Sequence, residues 1–330
     1  MQANPLLSIV IPTYNRADFL DRCLKVHIPL AKKYNIQIFI SDNASTDNTK
    51  EIVQKWMKEY PLISYHCNET NIGPDENFER ALKYPQTEYV WLLGDTYQIP
   101  SEGIDYVLNL ISKSHKKYDV IVVNVAKRVS GIPEQDYSDQ NQLLSDLGWH
   151  MTCLSSLIYN SGLIAHANFE RYRNTNFIQL GIIFEHIAGK DFLIHWVDSV
   201  SVQGLSITSL LKKSWQDQAF EIWTRRWPNV IFSLPSTYTP EIKLKCIKDH
   251  REKSRLFEIK HLVYLRIINI LNYKTYKQYS CLFPLTIKYP KLIILLIALL
   301  PRAPLLLLYK SYKQIKHHMI KSKSLGKSYG

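Results

Sequence analysis

Short apolar runs alternate with amphipathic stretches over the first two hundred residues. Ser8 to Ile11 is continuously hydrophobic after its serine, the pattern of a strand covered on both faces. Pro12 is expected to end it, because proline has no N–H to donate to a neighbouring strand. Ile36 to Ser41, Ile63 to Cys67, Tyr89 to Leu93, Val120 to Val125 and Phe192 to Val202 read as further strands. Ala17 to Tyr34 carries Phe19, Leu20, Cys23 and Leu24 at helical spacing, with a break or kink expected at Pro29. Thr46 to Tyr60, Asp75 to Tyr84, Glu102 to Ser114 (N-capped by Ser101), Phe177 to Ala188 and Trp215 to Trp227 are predicted helices. Strands and helices in this alternation imply an α/β fold with a mostly parallel sheet covered on both faces.

Lys127 to Asp146 is polar and aperiodic, a long loop of the kind that often serves a site. Prolines punctuate the stretch from Pro228 to Pro240, and a boundary is placed there. The expected organisation is an α/β domain over 1–235 and a basic, amphipathic helical region over 236–330.

Charge sharpens that division. The chain of 330 residues carries a net +12. From Pro240 onward there are 19 Lys and Arg against 4 Asp and Glu, whereas the remainder has 22 against 25. A basic tail on a nearly neutral domain points to an anionic surface for the tail alone. Nucleic acid is not the expected partner, because no binding motif or stacking pattern accompanies the charge. Leu292 to Leu300 is wholly apolar, and Pro301, Arg302 and Pro304 interrupt it before Leu305. A span needs about 20 apolar residues. The interrupted run instead predicts an interfacial hairpin over 292–321, anchored by Tyr309, Lys310, Tyr312, Lys313, Lys316 and Lys321. The five cysteines lack metal-ligand spacing and fit a reducing compartment, and no leader is visible before the first strand. The expected location is cytoplasmic, peripheral at the inner face of the cell membrane.

Four strands end in polar clusters. They are Pro12-Thr13-Tyr14-Asn15-Arg16, Asp42-Asn43-Ala44-Ser45-Thr46-Asp47, Asn71-Ile72-Gly73-Pro74 and Gly94-Asp95. In an open parallel sheet, ligands bind outside the carboxyl ends of the strands. These clusters should therefore open onto one crevice.

IPTYNR (11–16), SDNASTDNT (41–49), NIGPDENFERAL (71–82) and YVWLLGD (89–95), in this order, resemble glycosyltransferase family 2. The resemblance covers the first third of the chain and implies the GT-A fold. It also implies transfer of a sugar from a nucleotide-sugar donor, with inversion, in bacterial surface-polysaccharide synthesis (capsule or O-antigen). The acceptor would be a glycan or a polyprenyl-linked sugar, and oligomerisation is open. Carried over residue by residue, Pro12, Thr13, Tyr14 and Arg16 would line the nucleotide pocket. Asp42 would accept from the base edge, although Asp42 and Ser45 also suit a cap on the following helix. Asn71 and Gly73 would meet the ligand, and Asn77 would reach the same crevice.

The departure is at Asp95. The family usually has an acidic run there, binding Mg²⁺ or Mn²⁺; here Thr96 and Tyr97 follow Asp95. A metal site on Asp95 would be weak, and metal independence is the favoured reading, with Arg or Lys side chains or a helix N-terminus stabilising the leaving group. A catalytically inactive nucleotide-sugar-binding scaffold is the alternative. The family's general base usually lies about a dozen residues before a glycine; counting back from Gly189 reaches Phe177 and Ile178, with no carboxylate. Glu185, Asp191 and His150 are the remaining candidates.

Overall fold

The computed structural model describes residues 2–114, 116–205, 215–309 and 311. The notional anchors Lys310, Tyr312, Lys313, Lys316 and Lys321 lie outside them. The strands are β1 Leu7–Thr13, β2 Gln37–Asp42, β3 Ile63–Cys67, β4 Tyr89–Leu92, β5 Tyr97–Gln98, β6 Val120–Val125, β7 Gln135–Tyr137, β8 Leu157–Asn160 and β9 Ile194–Gly204. The sheet order is β3-β2-β1-β4-β8-β6-β9-β5, with β7 also pairing β9. β3, β2, β1 and β4 are mutually parallel, β8 runs antiparallel to both β4 and β6, and β9 is parallel to β6.

The helices of the first half are α1 Ala17–Tyr34, α2 Thr49–Glu59, α3 Pro74–Lys83, α4 Gly103–Lys113, α5 Gln140–Leu147, α6 Ser161–His166 and α7 Ile178–His186. Those of the second are α8 Trp227–Ser233, α9 Pro240–Lys253, α10 Ile259–Ile267, α11 Tyr273–Tyr279, α12 Phe283–Thr286 and α13 Lys291–Leu299. A further helix, α14, covers Arg302–Tyr309. Every residue of β1, β4 and β6 is buried, which explains why these strands read as unbroken apolar runs rather than alternating ones.

Proline ends neither β1 nor α1, for identifiable reasons. β1 continues through Pro12 to Thr13, paired with Ser41 and Asp42. The carbonyl of Val10 accepts from Leu93 on the β4 side and that of Thr13 accepts from Asn43 on the β2 side. By strand alternation Pro12 faces β4, whose pairing register with β1 ends at Val10, so the missing N–H leaves no ladder position empty. α1 likewise runs on through Pro29, which is exposed, so water can reach the carbonyl that the proline leaves unbonded. It ends at Asn35, in the left-handed region at φ 53°.

Other boundaries also differ. Ser101 does not cap α4; the cap position is Glu102, whose carboxylate accepts from the Ser101 hydroxyl. The 127–146 stretch holds β7 and α5 rather than only loop. α5 is capped by Asp139, which accepts from the N–H groups of Asn141 and Gln142. Its apolar face is only Leu143, Leu144 and Leu147, too few to stand out among polar neighbours. The expected 215–227 helix is present but irregular: 3-10 at Gln216–Gln218, α-helical at 219–220 and a π-helix at Glu221–Arg226, before α8.

The chain forms two compact units. One comprises Met1–Leu211 with Arg226–Lys253, the other Lys212–Arg225 with Ser254–Gly330. The sheet belongs to the first, where α9 also packs, its Cys246 buried beside Gly148. The second has its own core, built on Phe257, Leu262, Leu265, Phe283, Ile294 and Ile297.

Candidate active site

Because β3, β2, β1 and β4 are adjacent and parallel, their four polar carboxyl ends form one continuous rim. The rim is stitched together loop to loop. Asn15, at φ 51°, accepts the Thr46 N–H at 2.7 Å through its side chain and donates its own N–H to the Ser45 hydroxyl at 2.8 Å. Ala17 N–H donates to Asp47 at 3.0 Å. These bonds fix the β1 loop against the β2 loop and leave Tyr14 outward, its side chain 41% exposed.

Asp42 closes β2 and is buried. Its carboxylate accepts from the Tyr65 hydroxyl at 2.7 Å and from the Ser45 N–H at 2.9 Å. Burial, together with the Asp42 anion beside it, pushes the Tyr65 phenol up, so the phenol stays a donor. A carboxylate has about four lone-pair directions, so Asp42 keeps acceptor capacity. Ser45 does not cap α2; Asp47 serves its first turn, accepting from the Thr49 N–H and hydroxyl.

Next along the rim, an amide lattice holds the β3 loop. Asn43 donates to Asn71 at 2.8 Å and to the Gly73 carbonyl at 3.1 Å, and accepts from the Ile72 N–H. Gly73 sits at φ 85° with open space where a Cβ would project, so backbone conformation rather than crowding demands glycine. Asn77 is not on the rim. It is buried, bonding the Ser41 hydroxyl and carbonyl and Asn68, so it supports the loop from beneath. Asn43 lies in the second polar cluster but its bracing role is not readable there, and Asn68, a lone asparagine, carries no periodic signal.

At the β4 end, Arg16 Nε donates to Asp95 at 2.7 Å, with side-chain exposures of 17% and 9%. Burial pushes the Asp95 carboxyl up while Arg16 pulls it down. The Thr13 hydroxyl lies buried beside this carboxyl without a hydrogen bond of ordinary geometry. The residues do not suit a protein-held divalent ion. One carboxylate is present, a guanidinium already neutralises it, and the two following positions are Thr96 and Tyr97. Among the described residues no cluster of three His, Cys, Asp or Glu could hold a metal.

Behind Asp95, the Gly94 N–H donates to the Ser155 hydroxyl at 3.0 Å and Trp91 Nε1 to the Ser155 carbonyl at 3.0 Å. Tyr97 lies against the Cys153 thiol, which with burial pushes the phenol up, and Arg128 opposes that rise. Gly94, just after β4, and the turn carrying Ser155 are far apart in sequence, so no local pattern marks this contact.

The three base candidates do not join the rim. β9 is parallel to β6 and begins at Ile194, opposite Val120. Asp191 precedes that start and therefore lies at the amino edge of the sheet. Glu185 sits near the C-terminal end of α7, paired with Arg171 at 3.1 Å; its neighbour His186 is 3.9 Å from Asp119, just before β6. That too is the amino edge. His150 is fully buried, accepting from Arg128 Nε at Nδ1 and donating from Nε2 to the Val123 carbonyl at 2.9 Å. Burial and Arg128 hold its pKa well below the ordinary range, so it is a neutral structural group.

The chain matches the family model described as glycosyl transferase family 2 over residues 8–182, more than half its length. The chain belongs to glycosyltransferase family 2. Over 103 residues it is 43% identical to abequosyltransferase RfbV of Salmonella typhimurium, an alignment covering 30% of each chain. Over 135 residues it is 28% identical to the GalNAc(5)-diNAcBac-PP-undecaprenol beta-1,3-glucosyltransferase of Campylobacter jejuni, covering 41% of this chain and 42% of the relative. The chain thus spans less than half the length of these curated relatives. Among solved structures, S. aureus TarS 1-349 matches with a TM-score of 0.53 at 16% identity, over 85% of this chain and 83% of that one. The mannosyltransferase PcManGT from Pyrobaculum calidifontis, solved with GDP-Man and Mn²⁺, matches with a TM-score of 0.52 at 14% identity, over 90% and 88%. These likenesses show the GT-A fold of the family's glycosyltransferases, here with a helical C-terminal region.

One buried group ties the Asp95 segment to α1. His27 donates from Nδ1 to the Cys23 carbonyl at 2.7 Å and accepts the Ile99 N–H at Nε2, 3.1 Å away. Both partners require the neutral ring, and burial lowers its pKa to about 4. The unfolded chain takes up a proton near pH 6.5 and the folded one near 4, so stability is full above 6.5 and is lost as pH falls through that window. The shift corresponds to about 3 kcal/mol. Urea denaturation at pH 7 and pH 4.5 should show a stability drop, smaller in His27→Gln, whose amide keeps both bonds without titrating.

Proposed function

We propose that this family 2 glycosyltransferase moves a sugar from a nucleotide-sugar donor to a glycan or polyprenyl-linked acceptor in bacterial surface-polysaccharide synthesis, inverting the anomeric carbon. The observation carrying this reading is the common rim of Tyr14, Asp42, Asn71, Gly73, Arg16 and Asp95. In it, Tyr14 flanks the nucleobase and Asp42 accepts from the base edge. Pro12 and Thr13 floor the pocket, and Asn71 with Gly73 borders it. Arg16, oriented by Asp95, offsets charge on the leaving diphosphate by a planar, permanently charged donor group. Glu185, Asp191 and His150 carry no catalytic role in this reading, since two lie at the far edge of the sheet and one is buried neutral. The relative named as a GalNAc(5)-diNAcBac-PP-undecaprenol glucosyltransferase supports the acceptor class. A lipid-linked acceptor also fits a chain working at the cytoplasmic face of a membrane.

A second reading is favoured by one feature. The start of α7, where the family's base is expected, offers Phe177 at the cap and Ile178 and Gln179 in the first turn, none of which can accept a proton. On that reading the protein binds a nucleotide sugar without transferring it. Incubation with labelled nucleotide sugars and a polyprenyl-phosphate-linked acceptor separates the two. Label passing into the organic phase supports transfer; donor binding without any product would support the scaffold. The same assay with EDTA should keep most of its rate. Complete loss, restored by Mn²⁺, would overturn metal independence.

A further inference from the structure

A surface helix on a water-soluble body turns a polar face outward. α13 does not. Ile294, Ile297 and Ala298 face the core of the second unit, while Leu292, Leu296 and Leu299, spaced by one helical face, are each more than half exposed. No charged residue lies between Lys291 and Arg302. α14 continues the apolar surface with Leu307 and Leu308, both about two-thirds exposed, at 66% and 69%. An apolar surface of this continuity marks an interaction site.

The two helices meet at 85°. The bend is fixed by side chains rather than loose. Arg266 Nε donates to the Leu300 carbonyl at 2.8 Å, capping the end of α13, and Arg302 Nε donates to the Ile267 carbonyl at 2.7 Å. Both helices are thereby tied to α10. α13 is 9 residues long, roughly 14 Å, about half the thickness of a hydrocarbon core. Among the described residues no single helix is long and apolar enough to cross a membrane. The elbow suits insertion into one leaflet.

Charge selects the occupant. From Ser254 to Gly330 there are 14 Lys and Arg against a single acidic residue, Glu258. Lys288 and Lys291 stand at the start of α13. Leucines with lysines at their margin match acyl chains with anionic headgroups above them. A soluble acidic partner would not require the leucine stripe, and a second copy of this unit would bring like charges together.

We propose that the outward face of the α13–α14 elbow docks into one leaflet of an anionic bilayer, with Leu292, Leu296, Leu299, Leu307 and Leu308 as the inserting side chains. This deepens the membrane-facing part of the proposed function by naming the lipid-contacting surface. Flotation of the full chain with phosphatidylcholine vesicles, with and without phosphatidylglycerol, tests it. The chain should float with the anionic vesicles and much less with the neutral ones. Leu292→Ser/Leu296→Ser/Leu299→Ser should cut flotation at least tenfold with an unchanged melting midpoint, since these side chains face outward. Equal flotation of the triple variant, or no flotation of the parent chain, would overturn the proposal. So would a parent dimer that the triple variant converts to monomer without any vesicle binding. Nucleoside-diphosphate binding, measured on the same samples without vesicles, reports separately on the enzyme reading and should be the same in both proteins.

Discussion

Asp95→Ala is expected to abolish measurable transfer and to destabilise the protein by about 3–5 kcal/mol, because it strands the largely buried guanidinium of Arg16. The second change, Arg16→Ala in the Asp95→Ala background, should recover part of that stability, since no unpaired charge then remains. Activity should not return, because the group that meets the diphosphate has gone. Loss of such a preorganised donor costs about 10²–10³ in rate by itself. Arg16 also lies over the Phe19 ring at 4.0 Å, so the double variant should stay somewhat below the parent. Urea denaturation and the transfer assay on the parent, Asp95→Ala and the double variant read both quantities. An Asp95→Ala protein as stable as the parent would mean that the pair is not held as described.

Asp42→Ala should weaken nucleoside-diphosphate binding by about one to two orders of magnitude, the value of a hydrogen bond to a charged acceptor. It also frees the Tyr65 hydroxyl and the Ser45 N–H, so a stability cost accompanies it. Tyr65→Phe separates the effects. It removes one bond to Asp42 but leaves the carboxylate at the rim, and should cost about 1 kcal/mol in stability with nucleotide affinity kept. Calorimetric titration of the two variants checks this. Equal losses of affinity would assign Asp42 a purely structural role.

The parallel half of the fold was legible because its strands are buried on both faces and its loops hold distinctive turn chemistry. Gly73 and Asn15 take left-handed backbone angles, and both lie in motifs singled out from the sequence. Pro12 misled because the cost of a missing N–H depends on which neighbour the residue faces, which only the register reveals. β8 was hidden for a related reason. Its antiparallel insertion between β4 and β6 is a long-range pairing that no local period encodes. The base candidates failed on topology. Glu185 and Asp191 carry suitable chemistry, but the direction of β9 sets them at the opposite edge of the sheet from Asp95. His150 also carries suitable chemistry, yet it is buried, and Arg128, 22 residues earlier, bonds both its ring and its carbonyl.

The most direct test of the common rim is calorimetric titration of UDP, GDP, CDP and dTDP into the full chain and into Asp42→Asn and Tyr14→Ala. One of the four nucleotides should bind clearly more tightly than the others, without added metal, and both variants should weaken it at least tenfold. Binding of none of the four, or binding that neither variant alters, would contradict the account.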